Sequence, residues 1–328
     1  MAEKEESKHW LGFDLGGTKM QVKVFDEHFQ TLGKERRKTK ANEGVSAGVK
    51  RIVETVRIAL EEAGVSLAAI GGMGMGVPGP LNLEAGILEL APNLGWEKVP
   101  LRDLMEKELG IPVVIGNDVD MGLYGEYQFG AAQESRCALG IFPGTGIGGA
   151  CIYEGQILRG KTASCFEIGH VQAIPNGPLC GCGKKGCLEA VASRLVTAAA
   201  AAAAACRGDA PHLMQKAGTD LTNIRSGALA ESIAAGDVEI ENIVRLAAGH
   251  MGRVVGSVIN LLAPDTVVLG GGLIEAMPDL HAEEIRKGSL ETVLSSFEGS
   301  YHVVTAALGD DAATMGAAAW AKQLLKGT

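Results

Sequence analysis

The sequence feature that most restricts the fold is a glycine-rich turn between two strand-like segments, because it occurs twice. Residues 10–25 predict a strand, a Gly-Gly turn and a second strand. Residues 137–153 predict the same order, with a glycine-rich loop over residues 143–149. Helix-like and strand-like segments follow each copy. We therefore predict a duplicated α/β fold with its seam near residue 120.

Apolar patterning locates the other elements, and the composition adds one constraint. Glycine makes up 46 of the 328 residues, about twice the average share. Many tight turns and close backbone approaches to an anionic ligand are therefore expected. Helical spacing of apolar residues predicts helices over residues 50–63, 101–109, 241–262 and 312–325. Continuous apolar runs predict buried strands over residues 70–77, 112–115 and 266–269.

The charge and the apolar runs argue against two classes of partner. The net charge of −9 lacks the basic excess that nucleic-acid binding requires. Residues 1–9 are charged and contain no apolar core, so no signal peptide is expected. The alanine-rich run Leu195–Cys206 is too short to span a membrane and predicts a helix. We expect a cytoplasmic protein with neither a membrane nor a nucleic-acid partner.

The first turn contains the side chains that a phosphate and its metal ion require. Its two glycines, Gly16 and Gly17, allow close approach of an anion. Thr18 and Lys19 can donate hydrogen bonds to phosphate, and Asp14 can hold Mg²⁺. The Thr-Lys order and the flanking strands differ from a P-loop. A plain glycine hairpin is the alternative.

Two segments match the pattern G-x-G-x-x-G, residues 74–79 and 144–149. A dinucleotide fingerprint must open a helix, but a strand is expected after Gly149 and Pro80 follows Gly79. We therefore exclude a dinucleotide site at both segments. For residues 144–149, a phosphate-binding hairpin and a structural turn remain as alternatives.

Polar residues follow the predicted strand over residues 112–115. Asn117 and Asp118 stand at its carboxyl end, where α/β sheets place their ligands. A carboxylate there can take the proton from an attacking hydroxyl group. The alternative is a cap for a helix over residues 120–129.

The most specific pattern is a group of cysteines with a histidine. Cys180, Cys182 and Cys187 lie on a glycine-rich segment, and His170 lies ten residues upstream of the first of them. Three sulfurs and one nitrogen complete a tetrahedral zinc site without an open position, so the zinc is expected to be structural. The alternative is a set of unrelated free cysteines.

A zinc site here would also hold two nearby acids, Glu167 and Glu189. Their carboxylates could then accept hydrogen bonds from sugar hydroxyls. The alternative is that both are solvated surface acids.

Taken in order, these motifs resemble the ROK family of repressors, open reading frames and sugar kinases, and especially its bacterial glucokinase-type members. The resemblance extends from residue 10 to about residue 321. The motifs that carry it are residues 14–19 (DLGGTK), 76–80 (GVPGP), 92–96 (PNLGW), 117–118 (ND), 144–149 (GTGIGG), 167–170 (EIGH), 180–189 (CGCGKKGCLE) and 269–272 (LGGG).

The resemblance implies an actin-like ATPase fold, which is ribonuclease H-like, with two α/β domains and a cleft between them. The smaller N-terminal domain would span residues 1–119 together with about 310–328, because the last helix crosses back to it. The larger C-terminal domain would span residues 120–309 and contain the zinc-binding segment. A homodimer or homotetramer is expected.

The resemblance also implies a function, that of an ATP-dependent hexose kinase with Mg²⁺ and structural Zn²⁺. Asp118 would be the general base for the 6-hydroxyl of glucose. His170 would serve both the sugar and the zinc through its two ring nitrogens. The implied sugar ligands are Asn93, Asn117, Asp118, Glu167, His170 and Glu189. The nucleotide would lie along Gly16, Gly17, Thr18, Lys19, Gly144, Thr145, Gly146 and Gly271.

One departure from the family pattern and several alternatives remain. The family often has Asn-Asp-Ala-Asn where this chain has Asn-Asp-Val-Asp at residues 117–120, and a charged Asp120 is expected to raise the pKa of the base. Fructokinase, mannokinase and N-acetylhexosamine kinase activities fit the same scaffold, as does polyphosphate as the phosphoryl donor. A sugar-sensing repressor would need a basic DNA-binding segment, which is not seen before residue 10.

Overall fold

The computed structural model describes residues 9–161 and 166–326, and this part of the chain divides into two compact units. Unit 1 comprises residues 9–133, 155–161 and 310–326, and unit 2 comprises residues 134–154 and 166–309. The expected leader at residues 1–8 lies outside the described residues, as does Cys165.

Unit 1 contains a five-stranded sheet and a separate small antiparallel sheet. The five strands lie in the order β3-β2-β1-β4-β8, and the small sheet has the order β5-β6-β7. The strands are β1 (His9–Leu15), β2 (Lys19–Phe25), β3 (Thr31–Lys38), β4 (Ile70–Val77), β5 (Leu81–Asn82), β6 (Ile87–Ala91), β7 (Trp96–Val99) and β8 (Val113–Asn117). The first helices are α1 (Gly44–Ala63), α2 (Leu101–Leu109) and α3 (Asp118–Phe129).

Unit 2 repeats the central part of this sheet. Strands β10, β9, β12 and β13 lie side by side in that order. The strands that follow unit 1 in sequence are β9 (Cys137–Pro143), β10 (Ile147–Tyr153), β11 (Gln156–Ile157), β12 (Thr266–Leu269) and β13 (His302–Thr305). The helices are α4 (Glu189–Ala192), α5 (Arg194–Arg207), α6 (Pro211–Ala217), α7 (Ser226–Ala234), α8 (Val238–Leu262), α9 (Gly272–Ala276) and α10 (Pro278–Leu290), and α11 (Ala312–Lys326) returns to unit 1.

The strand directions in the two units are the same, as the predicted duplication requires. In unit 1, β1 runs antiparallel to β2 and parallel to β4, which is parallel to β8. In unit 2, β9 runs antiparallel to β10 and parallel to β12, which is parallel to β13. In both units, the carboxyl ends of three parallel strands therefore meet at one edge beside a glycine turn.

The last helix packs directly on the sheet of unit 1. A Cβ atom on Gly12 would lie 1.9 Å from the Thr314 carbonyl oxygen, and one on Gly74 would lie 1.8 Å from that of Ala317. These two positions on β1 and β4 therefore require glycine, because the helix backbone occupies the space of a side chain. The strand neighbours Leu11, Phe13, Met73 and Met75 point to the other face of the sheet and belong to the larger apolar core of unit 1.

Several predicted boundaries differ from those observed. The limit between the domains is expected at residue 119, whereas unit 1 continues through α3 to residue 133, since α3 packs against α11 and β4. The loop predicted over residues 143–149 is shorter, because β10 already begins at Ile147. The helix predicted over residues 50–63 begins at Gly44.

The alanine-rich helix belongs to the core of unit 2. Residues 189–207 are long and apolar enough, by composition, to cross a membrane. The stretch is interrupted at Ser193, which has extended backbone angles and caps α5. The buried face of α5 packs into the apolar core of unit 2 through Ala198, Ala201, Ala204 and Ala205.

Candidate active site

The first glycine turn joins β1 to β2 and is closed by its own backbone. The Gly16 N–H donates to the Lys19 carbonyl at 3.0 Å. Thr39, which directly follows β3, braces this turn: its hydroxyl donates to the Gly16 carbonyl at 2.6 Å, and its N–H donates to the Thr18 carbonyl at 2.9 Å. Thr18 and Lys19 are exposed, so their side chains can reach an anion from solvent.

Two carboxylates lie at the edge of unit 1 where the parallel strands end. Asp14 is near the end of β1, and Asp118 directly follows β8. Burial and then the negative charge of Asp118 raise the pKa of Asp14 to about 7; Asp310 adds to this effect and Arg36 opposes it. Carboxylates that oppose each other's ionisation are stabilised by a divalent cation, so this group fits Mg²⁺.

Asn117 has the capping role that was considered as an alternative. Its Oδ1 accepts hydrogen bonds from the N–H groups of Val119 at 2.9 Å and Asp120 at 3.3 Å. The helix begins at Asp118, two residues before the predicted start. The cap fixes Asp118 in the first helical turn, at the strand end where a general base was expected. Asp120 is buried in the same turn.

Asn93 is the one predicted sugar ligand from the loop before β7, and it lies beside the first turn. A Cβ atom on Gly17 would lie 2.8 Å from the Cβ of Asn93. Asn93 itself is exposed. The structure therefore brings the PNLGW motif into contact with the DLGGTK motif, although many residues separate them in the sequence.

The second glycine turn joins β9 to β10. The Gly144 N–H donates to the Gly146 carbonyl at 2.8 Å, and Thr145 at the apex is exposed. Gly271 lies against this turn, since a Cβ atom there would be 3.0 Å from the Pro143 carbonyl oxygen; its φ of +87° also favours glycine. Because β10 rather than a helix follows the turn, the structure agrees with the exclusion of a dinucleotide fingerprint.

The four predicted zinc ligands lie together in unit 2. His170 Nδ1 is 3.7 Å from Cys180 Sγ, and Cys182 Sγ is 3.7 Å from Cys187 Sγ. All four ligand atoms lie within 4.8 Å of one another. Sulfur atoms bound to one tetrahedral zinc at about 2.3 Å are about 3.8 Å apart, so these donors fit a closed zinc site.

The segment around the cysteines is folded by backbone hydrogen bonds and by glycines. The Cys180 N–H donates to the Lys184 carbonyl at 2.8 Å. Gly183 and Gly186 have φ values of +84° and +78°. Burial and the neighbouring thiols raise the pKa of Cys187 to about 11. Binding of a cation to the thiolates offsets this cost of deprotonation.

The two acids proposed as sugar ligands lie in different surroundings. Glu189 begins α4, and its carboxylate lies between the second turn and the cysteine cluster. One oxygen, Oε2, accepts from the Ile147 N–H at 3.1 Å, and the other, Oε1, lies 3.7 Å from Cys180 Sγ. Glu167 is exposed, and its carbonyl accepts from the His170 N–H at 2.9 Å. The Glu189 carboxylate therefore adjoins the cluster, whereas Glu167 is joined to His170 through its backbone carbonyl.

Sequence reasoning did not identify two residues that hold the turns. Thr39 braces the first turn, and Arg194 donates from Nη2 to the Thr145 hydroxyl at 3.1 Å. Arg194 lies at the start of an alanine-rich helix, where a basic residue is unfavourable. A basic residue at this unfavourable position was the signal that the sequence offered. The bond to Thr145 itself depends on the tertiary fold.

Comparison with known proteins gives consistent relatives along the whole chain. The ROK family profile matches residues 10–324. A glucokinase of Thermotoga maritima is 33% identical over 97% of this chain and 98% of its own. A ROK family glucokinase from Streptomyces griseus, solved in complex with glucose and AMPPNP, is 30% identical with a TM-score of 0.83, covering 96% of this chain and 99% of its own. A ROK hexokinase from Thermus thermophilus is 31% identical with a TM-score of 0.80, covering 98% of this chain and 100% of its own.

These findings confirm the actin-like ATPase fold that the resemblance implied. They also agree with the motifs, which the structure collects at the edges of two sheets of the same topology. The described residues place the DLGGTK turn and Asp118 in unit 1, and the GTGIGG turn and the cysteine cluster in unit 2. The chain belongs to the ROK family.

Proposed function

We propose that this protein is an ATP-dependent hexose kinase that phosphorylates the 6-hydroxyl of glucose. The observation that carries the proposal is the pair of carboxylates, Asp14 and Asp118, at the strand ends of unit 1 beside a glycine turn with exposed donors. The glucokinase and hexokinase relatives support the same activity.

In this proposal, Asp118 acts on the proton of the attacking hydroxyl. Its carboxylate accepts that proton as the sugar oxygen forms a bond to the γ-phosphorus, and the bond from the γ-phosphorus to the bridging oxygen of ADP breaks. The capping bonds from Val119 and Asp120 to Asn117 hold this part of the chain in place. Asp118 is thus fixed before the substrate arrives, which reduces the entropy cost of the reaction.

Both glycine turns are proposed to bind the phosphates of ATP. In unit 1, backbone and side-chain donors come from Gly16, Gly17, Thr18 and Lys19. In unit 2, they come from Gly144, Thr145, Gly146 and Gly271. Asp14 is proposed to hold Mg²⁺, which neutralises phosphate charge when bound.

The sugar hydroxyls are proposed to be recognised by carboxylates, amides and one imidazole. His170 directs Nδ1 toward Cys180, so its Nε2 is the nitrogen assigned to the sugar. Zinc would be held by His170 and the three cysteines; with all four positions filled by protein, it would anchor the chain rather than take part in the chemistry. The proposed sugar ligands are Asn93, Asn117, Asp118, Glu167, His170 and Glu189.

A coupled assay of ADP release over a panel of hexoses tests the activity. Glucose is expected to give the highest kcat/KM, above fructose, mannose and the N-acetylhexosamines, and ATP is expected to outperform polyphosphate. A higher kcat/KM for another hexose would reassign the substrate. No ADP release with any sugar would overturn the kinase proposal and favour a sugar-binding regulator.

The proposal also covers the cellular location and the oligomeric state of the enzyme. A cytoplasmic location suits the reduced thiols that a zinc site requires. A homodimer or homotetramer is proposed for the state in solution. Sedimentation velocity on the purified protein tests this state, and a monomer at working concentrations would contradict it.

A further inference from the structure

The segment from Glu189 to Arg194 contacts the second glycine turn at three places. The Arg194 N–H donates to the Gly144 carbonyl at 3.0 Å. The Arg194 guanidinium donates from Nη2 to the Thr145 hydroxyl at 3.1 Å. Glu189 Oε2 accepts from the Ile147 N–H at 3.1 Å. Both ends of the turn and its apex are therefore held by one short stretch of chain.

Arg194 differs from Arg207, the other arginine of α5, in having no acidic partner among the described residues. Arg207, at the other end of α5, contacts Asp209 at 2.8 Å. Within residues 9–161 and 166–326, no carboxylate oxygen lies within 4.0 Å of the Arg194 guanidinium. The positive end of the α5 dipole adds to its charge, so this position favours an anion.

The bond from Arg194 determines what the Thr145 hydroxyl can do. A hydroxyl group has one hydrogen to donate and two lone pairs to accept. Because the guanidinium donates to Thr145 Oγ1, the oxygen uses a lone pair there, and its own hydrogen is directed to another acceptor. A donor that is itself hydrogen-bonded in this way is a stronger donor.

We propose that Arg194 is a positioning residue for the nucleotide phosphates, acting through the Thr145 hydroxyl and adding one positive charge beside the second turn. The inference rests on the proposed function, since it takes a nucleotide phosphate as the ligand of that turn. It assigns a role to a residue outside the ROK motifs of this chain. The Glu189–Ile147 bond holds the other end of the same turn.

Arg194→Ala is the primary test, and direct binding of AMPPNP by calorimetry is the primary readout. Loss of one charged hydrogen bond is expected to weaken AMPPNP binding about tenfold and to raise the KM for ATP by a similar factor. The KM for the sugar is expected to stay within about twofold, since the arginine acts on the nucleotide turn. Zinc content is expected to remain that of the wild type.

Two further variants separate positioning from a structural role. Arg194→Lys keeps the charge but loses the planar donor, so an intermediate affinity for AMPPNP is expected. Thr145→Val removes the hydroxyl, and in this background Arg194→Ala is expected to have a smaller additional effect. Arg207→Ala, at the opposite end of α5, is the matched control and is expected to bind AMPPNP like the wild type.

The outcomes distinguish this inference from the proposed function. AMPPNP affinity of Arg194→Ala within twofold of the wild type overturns the role of Arg194, whatever the activity assay shows. An equal rise in the KM values of sugar and ATP also overturns it. A wild-type protein that binds AMPPNP but phosphorylates no hexose overturns the kinase proposal alone. If Arg194→Ala does not fold, the AMPPNP affinities of Arg194→Lys and Thr145→Val are used instead. Wild-type affinity in both variants overturns the role of Arg194, and weaker binding by both supports it.

Discussion

The two glycine turns occupy equivalent places in two sheets of the same topology, yet they are braced by different parts of the chain. The first turn is held by Thr39 at the end of the neighbouring strand β3. The second is held by Glu189 and Arg194, which follow the cysteine cluster in sequence. Duplication therefore reproduced the hairpin and not its support, and the second turn is held by residues that follow the candidate metal-binding cysteines.

The strands that lead into the turns differ in the same way. Asp14 lies near the end of β1, whereas the corresponding position of β9 is Phe142. Phe142 packs against Gly270, where a Cβ atom would lie 2.5 Å from its ring. Unit 1 thus carries the carboxylates, and unit 2 uses the same position for packing. This difference fits the proposal that unit 1 performs the proton transfer and that a metal anchors the binding residues of unit 2.

The largest expected effect tests the chemical role of unit 1. Asp118→Asn keeps the shape of the side chain and cannot accept the proton, so kcat is expected to fall about 10²–10⁴-fold. Sugar binding, measured by calorimetry, is expected to survive. Asp120→Asn is the matched control, since it removes a buried charge two residues away and is expected to retain turnover. Turnover of Asp118→Asn within threefold of the wild type would remove Asp118 from its role.

The next effect tests the dependence of unit 2 on its metal. Cys182→Ala removes one thiolate, and no sugar contact is proposed for Cys182. Zinc content by elemental analysis is expected to fall well below about one per chain, and the KM for sugar to rise about 10–100-fold, with lower thermal stability. Cys206→Ala, an exposed cysteine outside the cluster, is the control. A fully active wild type without zinc would leave the cluster without a role.

A smaller effect compares the two turns directly. Lys19→Ala and Thr145→Ala each remove a proposed phosphate donor, and each is expected to raise the KM for ATP about 5–10-fold with a smaller change in the KM for sugar. Steady-state kinetics with either substrate varied gives both values. A variant that changes sugar affinity alone would show that its turn does not bind the nucleotide.

The smallest effect concerns the acid stability of unit 2. His281 is fully buried; Nδ1 contacts the Met277 carbonyl at 2.8 Å, and Nε2 has no hydrogen-bond partner among the described residues. Burial lowers the pKa of His281 in the folded state, so the unfolded chain takes up the proton first as pH falls below about 6.5. Stability from the neutral ring is therefore present above that pH and is lost as pH falls through the folded pKa.

His281→Leu removes this linkage. The apparent Tm of the wild type is expected to fall more than that of the variant between about pH 7.5 and pH 5.5. His302→Asn, at an exposed position, is the control, and its Tm is expected to depend on pH as that of the wild type does. Parallel pH profiles for wild type and His281→Leu would contradict a role for His281.

Elements with local signals were predictable from the sequence. β4, α2 and β12 have the predicted bounds, because apolar runs or periods end there at glycine or proline. The start of α1 was missed because it contains Gly44 and Gly48. Gly48 is in the helix for a tertiary reason, since its missing side chain leaves room for the Trp96 ring. The small β5-β6-β7 sheet has strands too short for a periodic signal.

The residues of the candidate site also separate into those with a local sequence signal and those that only the fold brings together. The spacing of Cys180, Cys182 and Cys187 is a local signal that predicts a zinc site, and the structure brings these side chains together with His170. The proximity of Asp14 to Asp118 follows only from the parallel pairing of both strands with β4. The bond between Arg194 and Thr145 joins residues that lie 49 positions apart, and only the folded chain brings them together.

The packing of α11 on Gly12 and Gly74 has a consequence for biosynthesis. Unit 2 is an almost continuous stretch of the chain, and it is synthesised before the last helix. Unit 1 is translated first, but its sheet receives α11 only after all of unit 2 has been made. We therefore expect unit 2 to complete its folding before unit 1 does. Until then, the glycine-lined face of β1 and β4 stays uncovered and exposed to chaperones.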